Sequence, residues 1–125
     1  MDSVVFSALT LASGTTLKNR LVKAAMEENM AVQGQVPGEA MIKLYSTWAL
    51  GGAGLIITGN VMVDHLAMTG PGSAALEGHT DLEPYRRLAQ AAKQNGTRVW
   101  MQINHPGRQV FKAMGGRCYR PLMLR

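Results

Sequence analysis

The sequence has little of several features that mark specialised classes of protein. It contains one cysteine, Cys118, so no disulfide can form within the chain, which favours a reducing, cytoplasmic setting. Two Trp, three Tyr and two Phe are spread along 125 residues, too sparsely for an aromatic platform that stacks nucleic-acid bases. No apolar run approaches the roughly 18–20 residues of a membrane span, and no signal peptide is visible. We therefore expect neither a membrane nor a nucleic-acid partner.

Basic residues exceed acidic ones, 13 against 8, and give a formal net charge of +5. They are scattered, and the longest basic run is the pair Arg86–Arg87. Because a nucleic-acid site calls for a block of five or more like charges, a small basic protein that binds an anionic polymer is only a weaker alternative. A hydrophobic content of 46% is ordinary for a single globular domain.

The hydrophobic pattern predicts an α/β fold. The predicted elements are a hairpin at 6–17, a buried strand at 21–26, a helix at 39–50, a strand at 54–63, a long loop at 64–80, a helix from a capping box at 80–83 to Asn95–Gly96, and a strand at 98–103. Strands that alternate with helices imply parallel strands joined by right-handed crossovers.

Each predicted strand ends in small or polar residues, at 25–29, 58–60 and 102–105. In parallel α/β proteins ligands bind at the carboxyl ends of the strands, so these three ends predict one site. The carboxamide of Gln102 suits a flat heterocycle, because it offers an acceptor and a donor in one plane. The alternative is that Gln102 and Asn104 only satisfy backbone groups at the end of their strand.

Other candidate residues carry weaker signals. His105 could be a metal ligand or general base, but His65 and His79 have no metal-ligand spacing to it, and a turn-stabilising histidine is favoured; we predict no metal site. Arg108 could neutralise an anion or pair with Glu27 or Glu28. The glycines at 51–54 are not a phosphate loop, because they follow a helix and precede a strand.

Three motifs, at 17–26, 51–63 and 100–109, together resemble the N-terminal part of the Old Yellow Enzyme family of NADH:flavin oxidoreductases, which are FMN-binding (β/α)₈ TIM barrels. The likeness runs from about residue 6 to 116 and is most specific at Asn19–Arg20 and at His105–Arg108. It implies that residues 1–116 form the N-terminal portion of one FMN-binding barrel domain. That portion would hold about three parallel barrel strands and two helices after a short β-hairpin.

The resemblance also implies a set of cofactor-binding residues. Ala25, Met26 and Glu27 would lie along the flavin at the end of the first barrel strand. Many members have Thr or Cys in the third of these positions, so Glu27 departs from the family pattern. Gly59 and Asn60 would face the flavin after the second strand, and Gln102 would hydrogen-bond its pyrimidine edge. His105 and Arg108 would mainly support that strand end and its loop.

The resemblance further implies an activity, hydride transfer from NAD(P)H through FMN to an electron-poor alkene such as an enone. We assign no catalytic residue, because the family's substrate-holding pair, proton donor, basic residue near the flavin and phosphate-binding loops have no counterpart here. His65 and His79 lie in a different loop from that pair. We therefore expect the isolated chain to be inactive, and a truncated, non-catalytic remnant that binds no FMN is the main alternative.

Two further expectations concern the end of the chain and its open sheet. Residues 117–125 resemble no family segment, and we interpret them as an atypical tail produced by a frameshift, premature stop or gene-model error. Three barrel strands alone would leave an apolar edge, which predicts self-association into a homo-oligomer.

Overall fold

The computed structural model describes residues 3–110, so the tail predicted at 117–125 lies outside the described residues. In chain order the elements are β1 Leu9–Thr10, β2 Thr16–Leu17, β3 Val22–Lys23, β4 Ala31–Val32, β5 Val36–Pro37, α1 Glu39–Leu50, β6 Leu55–Met62, β7 Ala74–Ala75, α2 Glu83–Ala92 and β8 Arg98–Asn104. Short 3₁₀ helices lie at Val4–Phe6, Gln94–Gly96 and Gly107–Gln109.

A parallel sheet forms the centre of the structure. Strand β6 lies in the middle and pairs in parallel with β3 on one side and with β8 on the other. Strands β1 and β2 form a separate antiparallel hairpin before it, with Leu9 opposite Leu17. The predicted α/β class, with a hairpin followed by three parallel barrel strands and two helices, is confirmed.

Helix α1 has the bounds that its periodicity predicts. Its apolar face buries Met41, Tyr45 and Ala49 against Ile56 of β6 and against Leu88 of α2. Because both helices pack on the same face of the sheet, each strand–helix–strand unit closes over a shared apolar core. Within residues 3–110, no helix combines the length and the apolar character needed to cross a membrane.

The capping-box prediction at 80–83 is wrong. Helix α2 begins at Glu83, where the Asp81 carboxylate accepts a hydrogen bond from the Glu83 N–H at 3.0 Å. The Thr80 hydroxyl instead accepts from the N–H of Glu77 at 2.9 Å, which closes a turn before the helix. The Thr80 side chain therefore serves the preceding turn, whereas Glu83 contacts Arg86 within the helix.

Two short pairings lie where no strand was predicted. Strands β4 and β5 form a second hairpin, closed by a turn in which Gly34 and Gln35 both have positive φ. Strand β7 lies inside the predicted long loop and pairs in parallel with the last residues of β6. The loop at 64–80 is therefore anchored to the sheet midway along its length.

The predicted strand at 21–26 is also shorter in the structure, since only Val22 and Lys23 pair with β6. After Lys23 the chain leaves the ladder, and β7 takes the neighbouring place beside the end of β6. On the other side, β8 exposes Trp100, Met101 and Ile103, with 48%, 40% and 68% of each residue accessible. These residues are the apolar edge on which the prediction of self-association depends.

Candidate functional site

The side chains of Asn60 and Gln102 meet at the carboxyl ends of the two longest strands. The two residues are register partners of β6 and β8, and the Gln102 Nε2 donates to the Asn60 Oδ1 at 2.5 Å. Both side chains are partly exposed. Among the described residues no hydrogen bond engages the Gln102 Oε1 or the Asn60 amide group, which leaves an acceptor and a donor at these strand ends.

An irregularity in β6 produces this pairing. The register between β6 and β8 shifts between Ile57 and Asn60, so β6 contains one more residue than β8 over this stretch. The buried Thr58 bridges the gap, because its hydroxyl accepts from the backbone N–H of Gln102 at 2.9 Å and donates to the carbonyl of Gly59 at 2.8 Å. Such bulges re-aim side chains and are frequent beside active sites.

Gly59 lies against the chain that follows β3. A Cβ at Gly59 would collide with the Glu28 Oε2, and it would stand 2.5 Å from the Met26 carbonyl oxygen and 2.9 Å from the Glu27 Cα. Glycine is required here because two of these three atoms belong to backbone, which cannot rotate away. Its small size therefore lets the end of β3 cross close over β6, a reason that the sequence did not indicate.

A buried charged network fixes this crossing. The Glu28 Oε1 accepts from the Tyr45 hydroxyl at 2.5 Å, from the Gly59 N–H at 3.1 Å and from the Lys23 Nζ at 3.4 Å. The side chains of Lys23 and Glu28 are 10% and 7% exposed. The Lys23 Nζ also lies 4.3 Å from the ring centroid of Trp48, within the range of a cation–π interaction. The network joins β3, β6 and α1 directly beneath the site.

The network changes the acid–base behaviour of Tyr45. Burial, followed by the hydrogen bond to the Glu28 carboxylate, raises the pKa of the Tyr45 hydroxyl above its usual value. The tyrosine thus remains a neutral donor to Glu28 at physiological pH. Sequence reasoning missed this group; the one available signal was the charged Lys23 within an otherwise apolar strand.

Glu27 lies on the opposite side of the crossing. Its carboxylate accepts hydrogen bonds from the hydroxyls of Thr69 and Ser73, and Ser73 is buried. A neighbouring contact, from the Gly72 N–H to the Asn29 Oδ1 at 2.8 Å, adds a second link between the same two segments. Glu27, for which the resemblance implies a place along the flavin, holds the loop after β6 against the end of β3.

The other predicted residues differ in exposure and in contacts. Met26 is 62% exposed, whereas Ala25 is partly buried. The His105 Nδ1 accepts from the Gly107 N–H at 3.0 Å, which confirms the prediction of a turn-stabilising histidine. Glu28, offered as a partner for Arg108, forms its ion pair with Lys23.

The described residues thus bring Met26, Glu27, Gly59, Asn60 and Gln102 to one end of a parallel sheet. An open polar edge above parallel strand ends is the arrangement by which α/β proteins bind ligands. The class that the fold defines is accordingly that of the (β/α)₈ barrels, of which three strands and two helices are described here.

Comparison with known proteins agrees with this class. The sequence pattern of the NADH:flavin oxidoreductase / NADH oxidase family matches residues 4–117. The chain is 40% identical over 105 residues to the NADH-dependent flavin oxidoreductase iliE of Hypocrea jecorina, covering 81% of this chain and 26% of the relative. It is 30% identical over 116 residues to the NADH:acrylate oxidoreductase of Vibrio harveyi, covering 93% of this chain and 11% of that protein.

The fold is shared with solved structures as well. The old yellow enzyme homologue of Zymomonas mobilis superimposes with a TM-score of 0.80 at 25% identity, covering 92% of this chain and 32% of its own. The chain belongs to the NADH:flavin oxidoreductase / NADH oxidase family. It spans about a quarter or less of the two relatives named above and about a third of the Zymomonas structure.

Proposed function

We propose that this chain supplies the groups that bind the edge of the flavin ring in an FMN-dependent oxidoreductase. That enzyme would transfer hydride from NAD(P)H to an activated alkene. The observation that carries the proposal is the Asn60–Gln102 pair, placed by the β6 irregularity at the open ends of two parallel strands. Bound FMN would supply the hydride-carrying chemistry, while protein groups bind and orient it.

The residues fit the ring of such a cofactor. A flavin pyrimidine edge presents alternating carbonyl and N–H groups, which match an acceptor and donors held side by side on Gln102 and Asn60. Beside them Met26 exposes an apolar side chain. At Gly59 the backbone of β6 lies close to the backbone of Met26 and Glu27. These groups would bind the ring, orient its polar edge and cover part of one face.

The role of the buried network is to hold these groups in place. Lys23, Glu28 and Tyr45 touch one another and the Gly59 N–H, so the two strand ends cannot separate without exposing paired charges. Rigid support of this kind keeps binding groups within the small tolerances that orientation of a reactive ring requires. We assign the network a positioning role and assign no catalytic residue.

The proposed acceptor is an alkene activated by a carbonyl or carboxyl group. The name of the Vibrio harveyi relative specifies acrylate, an alkene of this type. Reduction of such an alkene adds hydride to the β-carbon and a proton to the α-carbon, so the complete site also needs a proton donor and a group that binds the carbonyl oxygen. We assign neither the proton donor nor the carbonyl-binding group to any of the residues described here.

The proposal is tested by titrating FMN into the ¹⁵N-labelled 125-residue chain and following side-chain amide signals by NMR. We expect FMN to shift the amide signals of Gln102 and Asn60, and inorganic phosphate, as a phosphate-only probe, to leave them unchanged. Binding should be weak, because the described residues include no glycine-rich loop that opens a helix to receive the phosphate. Unchanged Gln102 and Asn60 signals at millimolar FMN would favour the non-catalytic remnant.

A further inference from the structure

Three potential metal ligands, Asp64, His65 and Glu77, come together at the end of β6, away from the Asn60–Gln102 pair, and a fourth, His79, lies beside Glu77. Asp64 and His65 follow β6, and Glu77 and His79 follow β7, which pairs in parallel with the last residues of β6. The carboxyl ends of parallel strands lie at the same edge of a sheet, and this brings the two segments together. One donor atom from each of Asp64, His65 and Glu77 lies within 4.8 Å of the other two.

Glu77 is shared between the two histidines. Its Oε2 lies 3.0 Å from the His65 Nδ1 and 3.6 Å from the His79 Nε2, while its Oε1 lies 3.1 Å from the same His65 nitrogen. Ligands bound at the 2.0–2.1 Å of zinc–nitrogen and zinc–oxygen bonds stand roughly 3.4 Å apart in a tetrahedron. Two of these nitrogen–oxygen distances, 3.0 and 3.1 Å, lie below that value, and the third, 3.6 Å, lies above it.

A simple His65–Glu77 ion pair accounts for only part of this arrangement. It leaves the carboxylate of Asp64 within 4.8 Å of that of Glu77, an unfavourable approach of like charges that a cation would relieve. It also leaves His79 turned toward a carboxylate that is already paired.

The cluster also has room and support. A cavity of about 470 Å³ is lined by His65, Glu77 and His79, so an ion and its water can reach the donors. Backbone contacts hold the ligands: the His65 N–H donates to the Glu77 Oε1 at 3.3 Å, and the Glu77 N–H donates to Thr80. The Glu77 side chain is 18% exposed, whereas the side chains of His65 and His79 are 49% and 80% exposed.

We propose that Asp64, His65, Glu77 and His79 form a binding site for a divalent transition-metal ion, with Zn²⁺ as the ion that suits two imidazoles and two carboxylates. The bound ion would fasten the loop that carries β7 to the end of β6. This site departs from the expectation, based on sequence spacing to His105, that the chain holds no metal.

The test is calorimetric titration of Zn²⁺ into the metal-free 125-residue chain carrying Cys118→Ser, which removes the one thiol as a competing ligand. We expect one Zn²⁺ per chain. His65→Ala and Glu77→Gln should each weaken binding at least about ten-fold, since even the outer-shell partner of a metal ligand is worth about 10–100-fold in affinity. Co²⁺ in place of Zn²⁺ should show the intense visible absorption of a tetrahedral site.

Two control substitutions match the chemistry of these changes. His105→Ala removes the remaining histidine, and Glu83→Gln removes an exposed carboxylate on α2; both should change the affinity by less than about two-fold. Asp64→Asn removes the charge of the side chain and keeps its shape. Far-UV circular dichroism of each variant checks that the fold is retained. The proposal is overturned if the folded chain does not bind Zn²⁺, or if His65→Ala and His105→Ala weaken binding equally.

Discussion

Replacing Glu28 with glutamine removes the negative partner of Lys23 from the network beneath the strand ends. Both side chains are at least nine-tenths buried, so the lysine would be left in a poorly solvated place without its ion-pair partner. Removing one partner of a buried pair costs about 3–5 kcal/mol in unfolding free energy. The glutamine oxygen can still accept from Tyr45 and Gly59, and Trp48 still faces the lysine, so we expect the lower end, about 3 kcal/mol.

Urea denaturation followed by tryptophan fluorescence measures this loss. With a slope of about 1–3 kcal/mol per molar urea, a loss of about 3 kcal/mol moves the midpoint by about 1–3 M. The control is Glu83→Gln, whose contact with Arg86 is 3.7 Å long and mostly exposed, and which should change stability by less than about 0.5 kcal/mol.

A double-mutant cycle isolates the charge. Adding Lys23→Met to Glu28→Gln removes the uncompensated cation and should recover part of the lost stability. The reasoning is refuted if Glu28→Gln costs no more than Glu83→Gln, or if the second substitution only adds to the first.

Two other predictions concern residues that pack at or near the site. Gly59→Ala should destabilise the chain by about 1–3 kcal/mol in the same urea assay, because its Cβ would meet the Met26 carbonyl oxygen at 2.5 Å; an unchanged midpoint would show that the two strand ends do not cross closely. Burial raises the pKa of Tyr85 to about 12. The stabilising contribution of this residue should therefore be fully present below pH 10, and the free energy of unfolding of the wild type should fall by about 1.4 kcal/mol per pH unit as the pH rises toward 12. Tyr85→Phe has no titrating hydroxyl and loses the hydrogen bond to the Ala75 carbonyl, so it should be less stable than wild type by an amount that shrinks as the pH rises over this range. A difference in stability that does not depend on pH would contradict the assignment.

The elements with strong periodicity could be predicted from the sequence. Helix α1 carries apolar residues at three- and four-residue spacings that all face one core, and its predicted bounds are those of the structure. Strand β6 opens with Leu55, Ile56 and Ile57 in a row without polar alternation, and most of its residues are buried, which is the pattern of a parallel strand.

The elements missed have physical reasons. Strand β7 consists of Ala74 and Ala75, residues with no preference for strands, and it exists because β6 offers an unpaired edge where β3 ends. The β4–β5 hairpin turns through Gln35 at a φ of 57°, a conformation that a glutamine seldom adopts and that no turn motif signals.

The residues of the candidate site could be predicted from the sequence, but the contacts between them could not. Parallel strand ends indicated that Gly59, Asn60 and Gln102 belong together, but the shift that makes Asn60 and Gln102 partners depends on Thr58 bonding to the backbone of β8. The pairing of Glu28 with Lys23 and Tyr45 likewise joins segments far apart in the chain, which sequence spacing alone does not reveal.

The measurement that tests the central claim most directly is FMN affinity in wild type, Gln102→Leu and Gln90→Leu, followed by flavin fluorescence. Gln90 is an exposed glutamine on α2, so its variant controls for the loss of a carboxamide elsewhere. We predict that Gln102→Leu weakens binding about five-fold or more, since removing a hydrogen-bonding partner of a polar ring edge costs about 1–3 kcal/mol, while Gln90→Leu binds as wild type does. Equal affinities for all three proteins, or no binding by any of them, would contradict a flavin-ring site at the ends of β6 and β8.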